Sequence, residues 1–363
     1  MRSSYRESDV VFLLKDITGL VEPKPSEERE KEIQTGRHYC EMLPIEYVPS
    51  EKYMEVYQEA LENYGKPMAL AVGELADKII QKKGKHVVLV SLARAGTPIG
   101  ILLKRYIARK YHLAVKHYSI SIIRGRGIDD NAMKFLLGKY QVQELLFVDG
   151  WIGKGAILGE LKKAVASYPG VSADLAVVAD PAKMTELCGT HEDILIPSSC
   201  LNCTVSGLVS RTFLRPDIIG RDDFHGAVYY GEMKDADLSY AFIDAIEKNF
   251  EFSRNFQAME PSFQEPGKKG EEGIAEGTGL DEVKKIAQEF GISDINLVKP
   301  GIGETTRVLL RRIPWKVLIR QDCKDDRALA HILRLAEEKA IPVAYYPLKH
   351  YKSCGIIKKL ADA

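Results

Sequence analysis

Leu145-Leu146-Phe147-Val148-Asp149-Gly150-Trp151-Ile152-Gly153-Lys154-Gly155-Ala156-Ile157 is the stretch that decides the fold. Four successive apolar residues read as a strand buried on both faces, with an acid at its carboxyl end. A glycine-rich turn follows, and the apolar periodicity from Ala156 to Val165 reads as a helix. Strand, tight turn and helix in that order aim backbone N–H groups and the positive end of a helix dipole at one point. Such a point suits an anion, most often a phosphate. The Asp149 carboxylate beside it suits a ribose hydroxyl or a magnesium ion. Two commoner nucleotide fingerprints are excluded. A Walker loop needs four residues before its Gly-Lys pair and then Ser or Thr, but only Trp151 and Ile152 separate Gly150 from Gly153, and Ala156 follows Gly155. The same Trp151-Ile152 pair breaks the spacing of a dinucleotide fingerprint.

Upstream, His86 to Ser91 reads as a strand and Leu92-Ala93-Arg94-Ala95-Gly96-Thr97-Pro98 as a tight turn. Pro98 stands where a helix opens, and Ile99 to Tyr106 continue it. A second strand runs from Ala114 to Ser121. Ile122-Ile123-Arg124-Gly125-Arg126-Gly127-Ile128-Asp129 then sets two arginines between glycines, the composition of a loop that swings over an anion. This order resembles the type I phosphoribosyltransferases. The resemblance implies an α/β core with a parallel sheet and helices on both faces. It places a diphosphate at Ala93, Arg94, Ala95 and Gly96, a ribose at Asp149, and a 5′-phosphate at Gly150, Gly153, Lys154, Gly155 and Ala156. Catalytic roles fall to Asp149 and to Arg124 and Arg126 of the mobile loop, with Mg2+ bridging diphosphate and ribose. Two departures stand out: Gly150 replaces the usual second acid, and the usual hydroxyl-bearing cradle residues are absent.

The chain has 363 residues, enough for two domains, and its 51 Lys and Arg balance 51 Asp and Glu, so global charge selects no class of partner. A hydrophobic content of 45% suits a soluble protein with a full core. No apolar run reaches the length of a membrane span, no signal-peptide core is present, and six Cys read as reduced thiols; a cytoplasmic protein is expected. Thr35 to Pro44 reads as an arm packed on the core. Glu51 to Lys83 is helical by periodicity, and the α/β core is expected to end near a strand at Ile194-Leu195-Ile196. Gly and charge dominate residues 259–279, which is linker composition, so the expected domains are 1–258 and 280–363.

From Lys299 to the end, 14 Lys or Arg stand against 7 Asp or Glu. Gly301-Ile302-Gly303-Glu304-Thr305-Thr306-Arg307, an apolar strand ending at Gln321-Asp322, and Glu337-Glu338-Lys339-Ala340-Ile341-Pro342 resemble the Pelota-type RNA-binding fold, a three-layer α-β-α unit. The resemblance implies RNA contact through Gly303, Glu304, Arg307 and Arg311. Glu304 accepts from guanine edges, and the arginines neutralise phosphates. Gly303 stands where that family carries Asn. The same surface is also able to hold the domain against its own enzyme half.

Ser199, Cys200, Asn202 and Ser206 lie in a hydroxyl-rich segment after the core strands and suit an acceptor pocket. Cys200 with His225, oriented by Asp222 or Asp223, is the alternative nucleophilic site. A zinc site from Cys188, His191, Cys200 and Cys203 is disfavoured by the expected strand between the pairs, and no metal ligands are assigned.

As a whole the chain resembles two-domain proteins of stress-response gene clusters associated with tellurite resistance, a family also labelled cysteine protease StiP. These join a phosphoribosyltransferase-like domain to a C-terminal Pelota domain. The expected function is transfer of phosphoribose from phosphoribosyl diphosphate to a nucleobase-like acceptor, with RNA as a second partner, no membrane, and homo-oligomerisation left open. The alternatives are a cysteine hydrolase using Cys200 and His225, and an RNA-binding adaptor without catalysis.

Overall fold

The computed structural model describes residues 1–252 and 278–358. The expected linker, apart from its last two residues, lies outside the described residues. The first half runs β1 (Val11–Phe12), β2 (Lys15–Asp16), α1 (Ser26–Gln34), α2 (Glu51–Lys83), β3 (Val88–Ala93), α3 (Gly96–Tyr111), β4 (Lys116–Ile123), β5 (Gly127–Ile128), α4 (Asp130–Leu137), β6 (Leu145–Trp151), α5 (Ala156–Val165), β7 (Leu175–Ala179), β8 (Cys188–Thr190), β9 (Gly226–Ala227) and α6 (Ser239–Glu247). The main sheet has the order β1-β4-β3-β6-β7-β8, parallel at every step, with β5 folded back antiparallel on β4. Alternation along its strands feeds two cores. Leu89, Leu146, Val148 and Val178 face α2, α3 and α6, while Val90, Phe147 and Val177 face α4 and α5. Helices thus cover both faces, as the continuous apolar strands require.

Helix α2 buries Val56, Ala60, Tyr64, Met68, Val72, Leu75 and Ile79, a run at helical spacing that continues through Pro67. Gly84, at φ 69°, ends it.

The second half comprises α7 (Gly279–Glu289), β10 (Val298–Pro300), α8 (Ile302–Arg311), β11 (Pro314–Arg320), α9 (Ala330–Glu338), β12 (Val343–Tyr346) and β13 (Ser353–Ile357). Thr278 and Asp281 form a capping box at the start of α7. The sheet order is β10-β13-β11-β12. Helix α7 packs on one face of this sheet, and α8 and α9 pack on the other, giving the three-layer unit expected.

The two halves are not independent cores. Ile302, Leu309, Ile332 and Leu335 of α8 and α9 belong to the same buried cluster as Val56 and Ala60 of α2. Two tyrosines of α2 reinforce the seam, Tyr53 donating to the Leu310 carbonyl at 2.8 Å and Tyr64 to the Ala328 carbonyl at 3.1 Å.

One expected element is corrected. Ile194 to Ile196 pairs with no strand; the sheet edge is Cys188–Thr190 instead. Leu195 and Ile196 are buried in the shared cluster, and a short apolar run carries no information on whether its backbone joins a ladder.

Candidate functional site

A cavity of about 320 Å³ opens at the carboxyl ends of β3 and β6. Its position follows from one close approach. A Cβ on Gly96 would lie 2.3 Å from the Val148 carbonyl oxygen and 3.1 Å from the Asp149 Cα, so only glycine lets the turn after β3 press against the end of β6. That contact sets Arg94 and Asp149 in the same cavity wall. The Ala93–Arg94 peptide of this turn is cis.

Asp149 accepts from the Gly150 amide at 2.8 Å, and burial pushes its carboxyl up to about 7. Arg94 donates to Glu46 at 2.8 Å and to the Val209 carbonyl at 3.3 Å. Arg211, from the segment after the hydroxyl-rich turn, stacks over Tyr39 at 5.4 Å, and among the described residues no carboxylate pairs with it. Burial, and then Arg94 and Arg29, pull its guanidinium down to about 10. The arm expected to pack on the core does so through Cys40, Met42 and Leu43, and it also delivers Tyr39 to the cavity. Neither Tyr39, in the arm, nor Arg211, in the Ser206–Thr212 stretch, is assigned to a site by the sequence; the fold brings both to the cavity.

The remaining wall comes from the second half. Arg307 and Arg311 of α8 both line the cavity. Arg307 pairs with Glu304 at 2.8 Å. Arg311 donates to the Cys200 carbonyl at 2.6 Å and to the Asn202 side chain, and no carboxylate pairs with it among the described residues. Its Nε has no partner, and burial, then Arg307, lower its guanidinium to about 10.

Several sequence expectations land elsewhere. The glycine-rich turn after β6 lies at the seam between the halves. The Tyr351 hydroxyl donates to the Gly153 carbonyl at 2.6 Å, and Lys154 donates to the carbonyls of Ile295 and Val298 at 2.7 and 3.3 Å. The crevice there, against Gly301, Gly303 and Glu304, measures about 10 Å³, room for roughly one water and not for a phosphate. Gly155, at φ 80°, opens α5 as expected, but Gly155 and Ala156 do not line the cavity.

Arg124 and Arg126 sit in a tight turn whose Gly125 and Gly127 amides donate to Glu160 at 2.9 and 3.1 Å. Arg126 pairs with Glu41, Arg124 reaches Asn296, and neither lines the cavity. The expected mobile loop is a pinned hairpin end, because β5 folds back on β4 and α5 supplies the acid that holds it.

Cys200 and His225 do not pair. Cys200 is fully buried beside Tyr57, Ser199 and Arg311, and burial pushes its thiol up to about 12. His225 binds the Ser121 hydroxyl at 2.8 Å through Nδ1, its amide donates to Asp129 at 2.5 Å, and Asp223 instead pairs with Lys15. Ser199, Asn202 and Ser206 do line the cavity, as an acceptor wall requires. Among the described residues, no group of three or more His, Cys, Asp or Glu side chains gathers in a metal-holding arrangement.

The expected RNA contacts are turned inward. A Cβ on Gly303 would lie 3.4 Å from the Ser199 hydroxyl, and the Glu304 side chain is half-buried. Burial alone would raise the Glu304 carboxyl, but Arg307 and Lys299 overcome it and hold it low.

Residues 3–247 match the family model described as tellurite-like stress resistance cysteine protease StiP. The chain belongs to that family. Residues 277–359 match the model described as PELOTA RNA binding domain. A StiP relative from Acinetobacter baylyi (strain ATCC 33305 / BD413 / ADP1), named cysteine protease StiP, is 33% identical over 371 residues, which cover 98% of this chain and 94% of that one. Two solved structures of a hypoxanthine-guanine phosphoribosyltransferase from Bacillus anthracis overlap 40% of this chain and 75% of theirs, at 17% and 16% identity. Both have a TM-score of 0.23, too low to carry weight beside the sheet order itself. Among the described residues, no helix of this StiP-family chain is long and apolar enough to cross a membrane.

Proposed function

We propose that the cavity binds phosphoribosyl diphosphate and that the chain transfers its phosphoribosyl group to a nucleobase-like nitrogen acceptor. Arg211 carries this reading: a half-buried guanidinium with no carboxylate partner among the described residues, in the same cavity wall as Asp149 and Arg94. An unpaired buried charge costs several kcal/mol, on the order of 3–5. A diphosphate supplies the missing anion in a geometry a guanidinium matches.

Arg94 and Arg211 hold the diphosphate, Asp149 accepts from ribose hydroxyls, and Ser199, Asn202 and Ser206 face the acceptor. The acceptor nitrogen bonds to C1 as the C1–O bond breaks. Diphosphate leaves with the electron pair, and the nitrogen's proton passes to solvent. Asp149 is the single acid among the described residues lining the cavity, and the surrounding guanidiniums repel cations. The lining therefore does not fit a magnesium ion held by the protein, and no step is assigned to one. Isothermal titration with phosphoribosyl diphosphate tests the reading. Binding that disappears in Asp149→Ala supports it, and absence of heat at millimolar ligand overturns it.

A cysteine hydrolase is the second reading, favoured by the family description and by one contact. His38 Nδ1 lies 2.9 Å from the Cys40 Sγ, in the arm that also carries Tyr39. Against it, burial pushes the Cys40 thiol up to about 11, away from the thiolate a nucleophile needs. RNA binding by residues 277–359 is supported by the Pelota match. It is tested by fluorescence anisotropy of labelled RNA with the full chain, where no change on saturating protein would exclude it.

A further inference from the structure

Among the described residues, two guanidiniums in one cavity have no carboxylate partner, and they come from different halves of the chain. Arg211 belongs to the core, and Arg311 to α8 of the C-terminal half. The other two cavity arginines are already neutralised, Arg94 by Glu46 and Arg307 by Glu304. Docking α8 against the core thus half-buries a positive charge that no described carboxylate compensates. Hydrophobic contact through Ile302 and Leu309 explains why the domain docks, but not why its helix brings an arginine to the cavity. The neutral acceptors that Arg311 does find, Asn202 and the Cys200 carbonyl, orient its fork and leave its charge unbalanced.

We infer that the C-terminal domain is part of the ligand site, with Arg311 binding one anionic group of a polyanionic ligand whose other end is held by Arg211. This rests on the cavity being an anion site, and it extends that site beyond the core. The ligand class is a small molecule carrying more than one phosphate group. A monoanion would leave one of the two guanidiniums uncompensated. The face of α8 that reads as an RNA contact surface is in this arrangement a wall of the small-molecule site.

The test is isothermal titration of the full-length protein with inorganic diphosphate and with phosphoribosyl diphosphate, using Arg211→Gln, Arg311→Gln, Arg311→Lys and Arg334→Gln. Arg334 pairs with Glu59 across the same seam without lining the cavity, so Arg334→Gln loosens docking alone. Loss of one charged contact is expected to weaken binding about tenfold or more in Arg211→Gln and in Arg311→Gln. Arg311→Lys should recover part of the loss, and Arg334→Gln should stay within about twofold of the wild type. Arg311→Gln binding like the wild type while Arg211→Gln fails overturns the inference and leaves the core site standing. Equal losses in Arg311→Gln and Arg334→Gln also overturn it, assigning Arg311 to docking. No binding of either probe by the wild type removes the anion site and this extension together.

Discussion

The Asp193 carboxylate of the first half accepts the Ile302 amide of the second, its two oxygens 3.0 and 3.1 Å from that nitrogen. Ile302 is the first residue of α8, so a side chain from one domain caps a helix of the other. Asp193 also accepts from the Lys352 amide at 2.9 Å, and burial pushes its carboxyl up to about 6. Asp193→Ala leaves these buried donors without a partner and should cost about 2 kcal/mol or more. Differential scanning calorimetry should show a lower melting temperature, with α8 more open to hydrogen exchange.

Asp149 gives a pH signature. Its folded carboxyl titrates near 7, above the ordinary carboxylate range, because it is buried. Between about pH 4 and 7 the native state holds a proton that the unfolded chain has lost, so this group makes the protein less stable as pH rises through 7. Asp149→Asn should therefore melt a few degrees above the wild type at pH 8, with the gap narrowing as pH falls and closing only near pH 4. The reverse order, or a gap independent of pH, would contradict the burial of this carboxyl.

Gly96→Ala should damage stability and ligand binding together. The added methyl meets the backbone of Val148 and Asp149, which has no flexible end to yield. Overpacking of this kind costs about 1–3 kcal/mol, and it shifts the turn that carries Arg94. A melting curve and a diphosphate titration on the same sample check both effects.

Lys154→Met separates two uses of the glycine-rich turn. The ammonium is committed to the carbonyls of Ile295 and Val298. Its loss should loosen the seam, seen as faster proteolysis, with diphosphate affinity kept within about threefold. A large loss of affinity would instead assign the turn to the ligand.

All six cysteines are buried and unpaired. Iodoacetamide at neutral pH should modify none of them on the timescale of minutes, as read by intact mass. Rapid single alkylation at Cys40 would favour the hydrolase reading, and Cys200 should react only after unfolding.

The sequence by itself determined the elements and their order. Leu145 to Val148 had to be a doubly buried strand and Gly155 had to open a helix, because apolar period and turn chemistry act over a few residues, while the start of α8 at Gly301–Arg307 was implied by the resemblance to the Pelota-type fold. Asp149 was legible in the same way, as an acid at the end of such a strand; Arg94 followed from the resemblance, and the Ser199–Ser206 wall from its density of hydroxyls, although the strand expected before it joins no ladder. The destinations of long side chains were not. Lys154 reads as a phosphate ligand and spends its charge on carbonyls of the other domain; Arg124 and Arg126 read as a mobile clasp, but their turn is held by Glu160 through the Gly125 and Gly127 amides; Arg311 reads as an RNA contact and lines the cavity. Arg211 and Tyr39 lay in stretches the sequence marks out, a family motif and an N-terminal arm, but nothing local assigned either of them to this cavity. Periodicity constrains which face of an element is buried, but which charge finds a partner depends on tertiary contacts, many between residues dozens to more than a hundred positions apart. Only the packing of α8 against the core decided that two guanidiniums would share one cavity with no carboxylate among the described residues paired to either.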